Sequence, residues 1–402
     1  MTIITEDSKA HLKFEMAWLD QDASHLEILH APMVNFWRDC FPQSVYQALL
    51  HKPKGERVSF TYSKGELIPA ADPARIVEVR PDKFNHRFRK DMTILPKNGR
   101  YYPKGILKGV PNVFPQNMTP FRYLGQEKGF LRADFNHPLA DFDLEITIEV
   151  MDISNKQIEK GGSCYDWFEQ LTEGPGMQHR PEGMAVDFFS DTPFERTDDG
   201  HDDLFYETPR LVSHVDRKAS SVVAEIYDNV LEPGMKVLDL MSSWESHLKE
   251  DTALDHVLGL GMNEQELTKN PFLNDYYVHD LNASPHLPFS DNAFDAVICA
   301  MSVEYLTDPF KVFQELARVT GKNGRVVMTF SNRWFPPKAI RIWQDVTEYE
   351  REGIVMAYFK ETGLFKDLHT QSVRGLPRPI DDKYFRQFRQ SDPVFAVWAT
   401  IA

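Results

Sequence analysis

The sequence predicts an α/β protein in which a doubly wound parallel sheet forms the C-terminal half and a smaller α+β domain precedes it. Short apolar runs alternate with turns and helical segments from about residue 236 onward. Strands of this kind belong to parallel sheets that are covered on both faces. Polar residues follow most of these apolar runs. The chain of 402 residues is long enough for two domains with separate cores.

The C-terminal half contains five predicted strands and a helix. The strands are Lys236–Asp239, Asp255–Asn263, Tyr276–Asp280, Asp295–Met301 and Arg325–Phe330. Residues 310–319 have the apolar spacing of a helix, and a glycine-bounded turn at 321–324 leads into the last strand. This order predicts parallel strands joined by crossovers.

Polar side chains stand at the ends of four of these strands. They are Asp239, Asn263, Asp280 and Ser302. Ligands of open α/β sheets bind outside the carboxyl ends of the strands, so these four residues mark the expected binding edge. The turn after the first strand lacks glycine, because positions 241, 243 and 245 are Met, Ser and Glu.

Residues from about Leu204 to the C-terminus resemble class I S-adenosylmethionine (SAM)-dependent methyltransferases, which have a Rossmann-like sheet. The resemblance is to a branch whose first turn reads Ser-Ser-Trp-x-Ser-His-Leu. It is carried by Phe205–Arg210, His214–Asp216, Ser242–Leu248, Leu281–Asn282 and Thr329–Pro336. The resemblance implies SAM as the cofactor and methyl transfer as the activity.

The same resemblance assigns cofactor contacts to residues at the strand ends. Asp239 would orient the first turn and the cofactor's amino group, and Asp280, with the Leu281 backbone, would bind the adenine amino group. Ser242 and Ser243 would contact the methionine moiety or, as serines often do, cap a helix. The predicted cofactor-binding set is Asp239, Ser242, Ser243, Gly261, Met262, Asn263, Asp280, Leu281, Met301 and Ser302.

The acid that usually binds the ribose hydroxyls is replaced by Gly261, and Asn263 or Glu264 is the expected substitute. Trp244 would pack in the core or face the sulfonium through its ring. A dinucleotide-binding dehydrogenase is the rival interpretation, because Gly259-Leu-Gly261 begins a Gly-x-Gly-x-x-Gly loop. Its third glycine is Glu264, however, which conflicts with a pyrophosphate at that position.

The acceptor side is predicted from residues around the first and last strands. The candidate catalytic residues are His247, His214, Tyr206 and Arg333. Either histidine would accept a proton from the acceptor, or serve only as a structural hydrogen-bonding group. Arg333 would clamp an anionic acceptor or pair with a surface acid. No metal site is predicted.

The N-terminal part resembles FKBP-type peptidyl-prolyl isomerases of the SlyD branch. Strands are predicted at 12–19, 55–62, 129–135 and 144–150, with a short helix at 42–51. The segment Ala133–Leu144 contains the Asn-His-Pro-Leu-Ala turn of that family, and Leu50–Arg57 matches its helix-turn-strand. The implied domains are 10–155, FKBP-like with a long insert at about 70–128, then an acidic linker at 156–200, and the methyltransferase at 201–402.

The FKBP-like part would be an active isomerase or, because 18–24 departs from the family pattern, a docking or dimerisation module. A homo-oligomer formed through this part is one expectation. The composition of the linker also predicts that a chain starting near Gly200 folds and binds SAM alone.

Charge and hydropathy narrow the possible partners and location. Residues 1–160 hold 22 Lys and Arg against 21 Asp and Glu, whereas residues 161–402 hold 23 against 39. The acidic catalytic half argues against a nucleic-acid substrate. No apolar run approaches the roughly 20 residues of a membrane span. The N-terminus lacks a secretory pattern, and the three cysteines suggest no disulfide framework, so a cytoplasmic location is predicted.

The predicted activity is methylation of a small molecule, with sulfide or a small thiol as the preferred acceptor. A thiol needs little help to lose its proton, and thiolate is intrinsically very nucleophilic. O-methylation of a small hydroxyl or carboxyl compound is the alternative. A protein of another class also fits, namely an isomerase or chaperone whose second half only senses SAM.

Overall fold

A computed structural model describes residues 2–89, 93–154 and 160–402. The strands of the N-terminal half are β1 (Lys9–Leu19), β2 (Ala23–Asn35), β3 (Arg57–Tyr62), β4 (Ile76–Val79), β5 (Tyr101–Pro103), β6 (Pro120–Glu127), β7 (Phe130–Asp134) and β8 (Leu144–Ser154). Those of the C-terminal half are β9 (Lys236–Leu240), β10 (His256–Gly261), β11 (Asp275–Val278), β12 (Phe294–Ala300), β13 (Thr320–Ser331), β14 (Phe365–Arg374) and β15 (Val394–Ile401). The helices are α1 (Gln43–Leu49), α2 (Trp167–Thr172), α3 (Asp202–Tyr206), α4 (Arg217–Val230), α5 (Glu264–Lys269), α6 (Pro309–Val319), α7 (Arg341–Asp345) and α8 (Glu348–Thr362).

The C-terminal half is a doubly wound sheet in the order β11-β10-β9-β12-β13-β15-β14. Strands β9 to β13 run parallel, and β15 pairs antiparallel with both β13 and β14. The order reverses between β9 and β12, which makes the carboxyl ends of these two strands the place where a ligand binds. The predicted fold class of this half is therefore confirmed.

Helices cover this sheet on both faces. The amphipathic helix α4 buries Val223 and Ile226 against Val237 and Ile298 on one face. On the other face, Phe313 of α6 packs with Phe359 of α8. Helix α4 thus places its apolar side on the sheet and leaves its polar side to solvent, whereas α8 is buried on most of its surface, including Glu350 and Glu352.

One crossover differs from the predicted alternation of strands and helices. The connection from β9 to β10, residues 241–255, is described throughout and contains no helix. Met241 and His247 have positive φ angles of 54° and 55°, which interrupt a right-handed helix. The serines of this turn therefore cap no helix, and that expectation is wrong.

The N-terminal half contains an antiparallel sheet in the order β2-β1-β8-β3. Alternate residues of β1 are buried, including Phe14, Met16 and Trp18, and they pack on α1 and α2. This period of two is the pattern of a strand with one face in the core. The predicted strands and the short helix of this half are confirmed, whereas β2, which follows the departing stretch 18–24, was not predicted.

The predicted insert folds around a core of its own. Strands β4, β5, β6 and β7 form a separate sheet in the order β4-β7-β6-β5. Phe121 and Ile106 are fully buried in the core beneath it. The assignment of this half to the FKBP family, and any dimerisation through it, stay predictions.

The two halves share one sheet of eleven strands. Strand β2 lies parallel to β14 in a register that runs from Ala23 opposite Leu368 to Leu29 opposite Arg374. The buried Glu27 on β2 accepts hydrogen bonds from Ser372 of β14 and from Gln178, the latter at 3.0 Å. Glu27 is buried, which raises its pKa, so this contact is a polar link inside a buried interface.

The stretch predicted as a linker is partly packed, and its residues 156–159 lie outside the described residues. Phe168 and Leu171 of α2 are buried in the N-terminal core, and Met177 and Phe188 are buried in the C-terminal core. Arg374 of β14 donates to the carbonyl oxygen of Leu171 at 2.8 Å. The domain boundaries stay a prediction, and these residues connect the two cores.

Two cysteines that are distant in sequence are close in space. The sulfur atoms of Cys40 and Cys164 are 3.6 Å apart, and both residues are exposed, whereas Cys299 is buried. Sequence spacing alone gave no sign of this pair. In the described ranges, none of the helices has the length and apolar content needed to cross a bilayer.

Candidate active site

A pocket of about 270 Å³ opens at the carboxyl ends of β9, β10 and β12. It lies where the strand order reverses. All of the predicted site residues line it: Tyr206, His214, Asp239, Ser242, Ser243, His247, Gly261, Met262, Asn263, Asp280, Leu281, Met301, Ser302 and Arg333. The structure brings these residues together, and the role of each stays a prediction.

Asp239 organises the turn that follows β9. Its Oδ2 accepts hydrogen bonds from the hydroxyls of Ser242 and Ser246, each at 2.6 Å. Asn270 fixes the same turn by donating to the carbonyl of Ser243 and to Ser246 Oγ. Burial raises the pKa of the Asp239 carboxyl to about 6, against the two hydroxyl donors. The predicted orienting function of Asp239 thus has a direct geometric basis.

Gly261 allows the turn after β9 to lie against the end of β10. A β-carbon at this position would stand 2.1 Å from the carbonyl oxygen of Ser242. Ser242 N donates to the carbonyl of Leu260 at 2.8 Å, which holds the two strand ends together. An acidic side chain therefore has no room at position 261, which explains its absence.

Neither predicted substitute for the ribose-binding acid is free for that role. Asn263 Oδ1 caps α5, and its Nδ2 donates to the carbonyls of Tyr206 and Glu207 at 2.8 and 3.0 Å. Glu264 does not line the pocket, and it accepts a hydrogen bond from Tyr276. Asn263 instead holds the segment after α3 over the pocket.

Glu266 is a pocket residue that the sequence reasoning missed. It accepts a hydrogen bond from Ser243 Oγ at 2.6 Å and another from the backbone N–H of Arg210. The sequence does contain a sign of this role, because Glu266 stands three residues after the N-cap Asn263. A carboxylate at that position can reach back across the first turn of the helix. Glu266, unlike Glu264, lines the pocket close to the end of β10, where the ribose-binding acid was expected.

Asp280 forms the turn at the end of β11. Its Oδ1 accepts from the backbone N–H groups of Asn282 and Ala283 at 2.8 and 3.1 Å. In the described ranges, its second oxygen has no hydrogen-bond partner. Asn282 connects this turn to the carboxylate of Asp202 and to the carbonyl of Tyr305. The turn is thus held from both sides.

Replacing Asp280 with alanine should weaken SAM binding without unfolding the protein. A buried adenine amino group that loses its acceptor costs about 1–3 kcal/mol. Titration calorimetry measures the change, and Asp275→Ala is the matched control, because Asp275 is an exposed acid at the start of β11, the strand that Asp280 follows. Unchanged affinity in the Asp280 variant would remove this residue from the site.

His247 lies in the turn after β9 and belongs to a hydrogen-bonded relay with Ser220 and Glu245. Ser220 Oγ donates to Glu245 Oε1 at 3.0 Å and lies 2.8 Å from His247 Nδ1. Because the serine proton goes to the carboxylate, Nδ1 carries the proton of the neutral ring and Nε2 is the basic nitrogen. Burial lowers the pKa of His247, which keeps the ring neutral near pH 7. This geometry suits a general base.

The segment before α4 covers the pocket with aromatic and histidine side chains. The Arg210 guanidinium stacks 4.3 Å from the Phe205 ring and 5.2 Å from the Phe335 ring. The His214 ring meets Phe335 edge-on at 5.5 Å, and burial lowers the pKa of this histidine. Burial likewise raises the pKa of Tyr206 far above its ordinary value, so the phenol stays neutral.

The loops after β13 and β14 complete the acceptor side. Arg333 stacks 4.2 Å from the ring of Tyr384 and lies 3.7 Å from Asp392. Both predicted alternatives for Arg333 are thus represented, since it lines the pocket and also contacts an acid. Lys383 and Tyr384 line the pocket as well and were not predicted, because the chain between β14 and β15 has no recognisable motif.

Trp244 lies outside the pocket lining. Its indole N–H donates to the carbonyl of Val212 at 3.3 Å, and the side chain is half-buried. The expectation that its ring faces the sulfonium is therefore not supported by the geometry. Trp244 instead helps to hold the covering segment.

SAM binding should weaken as the pH falls below about 6. The folded-state pKa of Asp239 is raised to about 6 from 3.8, so this group favours the folded state most at low pH, where it is protonated. The neutral acid, however, no longer attracts a cationic ligand. Calorimetry from pH 5 to 8 should show affinity rising with pH, and Asp239→Asn should remove that dependence. A flat wild-type profile would contradict the assignment.

Comparison with known proteins agrees with this geometry. Residues 246–328 match the family described as "Methyltransferase domain". Demethylmenaquinone methyltransferase of Renibacterium salmoninarum is 34% identical over 111 residues, which are 26% of this chain and 45% of that protein. Cycloartenol-C-24-methyltransferase 1 of Oryza sativa subsp. japonica is 34% identical over 100 residues, 22% of this chain and 28% of that protein.

A second demethylmenaquinone methyltransferase, of Paenarthrobacter aurescens, is 30% identical over 139 residues, 33% of this chain and 51% of that protein. The chain thus spans about half or less of the length of these relatives. Among solved structures, a SAM-dependent methyltransferase of Mesorhizobium loti aligns with a TM-score of 0.30 at 15% identity, over 44% of this chain and 96% of the other.

The C-terminal half contains a methyltransferase domain, and its cofactor is S-adenosylmethionine. The predicted class of enzyme and the predicted cofactor are therefore confirmed. The acceptor and the roles of individual residues are taken up below as proposals.

Proposed function

We propose that this protein transfers the methyl group of SAM to the sulfur of a small thiol or of sulfide. The observation that carries the proposal is the composition of the acceptor side of the pocket. Aromatic side chains dominate it, namely Tyr206, Tyr305, Trp334, Phe335 and Tyr384. Such a lining suits a small nucleophile that needs little help to lose its proton.

The residues at the strand ends fit the charge of the cofactor. SAM supplies a methyl group that its sulfonium already makes electrophilic. Asp239, Glu266 and Asp280 place carboxylates along this edge, and each has its own hydrogen-bonded support. Negative groups attract the sulfonium and the ammonium of the ligand, and the close approach at Gly261 shapes the turn that faces it.

Positioning accounts for most of the catalytic work in this proposal. Aligning the acceptor, the methyl carbon and the sulfonium sulfur can contribute roughly 7–11 kcal/mol. The covering segment is anchored by Asn263, and α3 is anchored through Asp202, which pairs with Arg196 at 2.8 Å and with the buried Lys338 at 3.0 Å. These contacts hold the covering segment and α3 in place and thereby fix the shape of the acceptor side.

The relatives support methylation of a small molecule. Two are named for demethylmenaquinone and one for cycloartenol, which are small organic acceptors. Sulfur as the acceptor atom rests on the pocket lining and on thiolate chemistry.

O-methylation is the second candidate, and the His247 relay favours it. A hydroxyl acceptor needs a base, and His247 Nε2 is basic when Nδ1 donates to Ser220. Arg333 would then anchor an anionic group of the acceptor. The two candidates differ in their dependence on His247.

Methyl-labelled SAM and an acceptor panel test the proposal. The panel contains sulfide, small thiols, phenols and carboxylates. Label transferred to sulfur, with a rate that rises toward the thiol pKa and is moderately affected by His247→Ala, supports S-methylation. Turnover of phenols or carboxylates but not thiols, abolished by His247→Ala, would overturn it. SAM binding without turnover of any acceptor would favour the sensor alternative.

A further inference from the structure

We propose that the acceptor enters the pocket as an anion and that Lys383 is its main electrostatic determinant. This inference rests on the proposed function. It specifies the acceptor as hydrosulfide or as a small thiol that carries a carboxylate. The evidence is the pairing of charges in and around the pocket.

The acids and bases that line the pocket come from different segments of the chain. Asp239 lies near the end of β9, and Glu266 and Asp280 follow β10 and β11, where the cationic cofactor fits. Glu245 lies on the same turn as His247 and accepts hydrogen bonds from Ser213 and Ser220. The cations come from elsewhere, namely Arg210 before α4, Arg333 after β13, and Lys383 between β14 and β15.

The chain between β14 and β15, residues 375–393, is a cap loop whose acids are already paired. Arg378 binds Asp392, Asp382 and Asp216, and Arg217 binds Asp381 at 2.7 Å. The three acids of the cap loop, Asp381, Asp382 and Asp392, therefore each have a cationic partner.

The other bases of the cap loop have no such partner. In the described part of the chain, Lys383, Arg386 and Arg389 form no ion pair. Lys383 contacts the Tyr384 ring at 5.0 Å, and Arg389 contacts the Phe385 ring at 4.4 Å. Of these bases Lys383 lines the pocket, so it adds an unpaired positive charge there in a half whose formal charge is strongly negative.

Arg210 adds an unpaired cation inside the pocket. Its guanidinium donates to the carbonyl of Phe205 at 2.9 Å and stacks on aromatic rings, and in the described ranges it has no carboxylate partner. A guanidinium that stacks on aromatic rings and has no carboxylate partner for its own N–H groups favours an anionic ligand. Lys383 and Arg210 thus give the pocket two cations that attract an anion.

An anionic acceptor also simplifies the reaction. A lone pair of the acceptor sulfur forms the new bond to the methyl carbon while the bond from that carbon to the sulfonium breaks. The electron pair of the broken bond stays on the cofactor sulfur, which becomes a neutral thioether. When a thiolate or hydrosulfide enters, its negative charge and the sulfonium charge cancel, and no proton leaves the acceptor.

Four sulfur acceptors, three of them thiols of similar size but different charge, test the inference. They are hydrosulfide, 3-mercaptopropionate, 2-mercaptoethanol and cysteamine, compared at equal thiolate concentration. Electrostatic attraction into a charged cleft raises association by roughly tenfold or more. We expect kcat/KM for 3-mercaptopropionate to exceed that for 2-mercaptoethanol by about tenfold, cysteamine to be the poorest, and the difference to shrink with added salt.

The Lys383→Gln and Lys383→Glu variants test the residue, and Lys322→Gln is the matched control. Lys322 is an exposed lysine near the start of β13, at the opposite edge of the sheet. We expect the Lys383 changes to raise KM most for 3-mercaptopropionate, less for hydrosulfide and 2-mercaptoethanol, whose reacting forms each carry one negative charge, and least for cysteamine, with little change in kcat. A response of 3-mercaptopropionate alone identifies the carboxylate as the recognised group.

The outcomes separate this inference from the proposed function. Two results would overturn the inference and leave S-methylation standing. One is equal kcat/KM for the thiols whose substituents are anionic, neutral and cationic. The other is a Lys383→Glu variant that behaves like Lys322→Gln. Failure to methylate any of the four sulfur acceptors would overturn the proposed function and the inference with it.

Discussion

Replacing Gly261 with alanine should weaken SAM binding by at least about tenfold, since 1.4 kcal/mol corresponds to a factor of ten. The added methyl group would lie 2.1 Å from the carbonyl oxygen of Ser242 and 3.1 Å from Leu267. The nearer atom belongs to the backbone, so the whole turn after β9 must move. Overpacking of this kind typically costs about 1–3 kcal/mol.

That movement would disturb the hydrogen bonds that Asp239 accepts from the hydroxyls of Ser242 and Ser246. It would thereby distort the cofactor side of the pocket. Titration calorimetry with SAM and thermal unfolding measure the two effects. Gly161→Ala is the control, because its added β-carbon meets no atom within 4 Å. Normal SAM affinity in the Gly261 variant would show that the close approach does not shape the site.

A chain reduced to residues 201–402 should aggregate and should bind no SAM when produced alone. This expectation reverses the one drawn from the linker composition. The truncation removes β2 and exposes the whole edge of β14, which pairs with it over residues 368–374. It also removes Ala23, Tyr101, Met177 and Phe188 from the core of the C-terminal half. An uncovered strand edge of this kind invites pairing with other chains.

Supplying the missing strand on a second chain is the control for this prediction. Co-production of residues 1–160 with residues 161–402 should restore solubility and SAM binding, because β2 can then pair with β14. Size-exclusion chromatography with light scattering measures the recovery. A soluble monomer of residues 201–402 that binds SAM would show that the shared sheet is dispensable.

Much of the site was predictable because ligands of parallel α/β sheets bind at the carboxyl ends of the strands. An apolar run that ends in Asp239 or Asp280 predicts a strand. It also predicts that the last side chain lies at the edge of the sheet where ligands bind. Contacts between residues that are far apart in the sequence were harder to predict. Glu266 reaches the site through a bond to Ser243, and Lys383 reaches it from a loop without regular structure.

The same reasoning explains what the sequence did not show of the fold. The pairing of β2 with β14 joins residues far apart in the chain, and neither strand carries a local sign of its partner. The helix expected after β9 is absent because the serine hydroxyls and the positive φ angles of Met241 and His247 favour a compact turn. These features depend on the tertiary structure.

The shared sheet also has a consequence for synthesis on the ribosome. Ser24 of β2 hydrogen-bonds His369 of β14, which is 345 positions later in the chain. At about 5–20 residues per second, the partner strand follows roughly 17–70 seconds after β2 has been made. Throughout that interval the long alternating strand β2 has an open edge, which exposes the nascent protein to pairing with other chains.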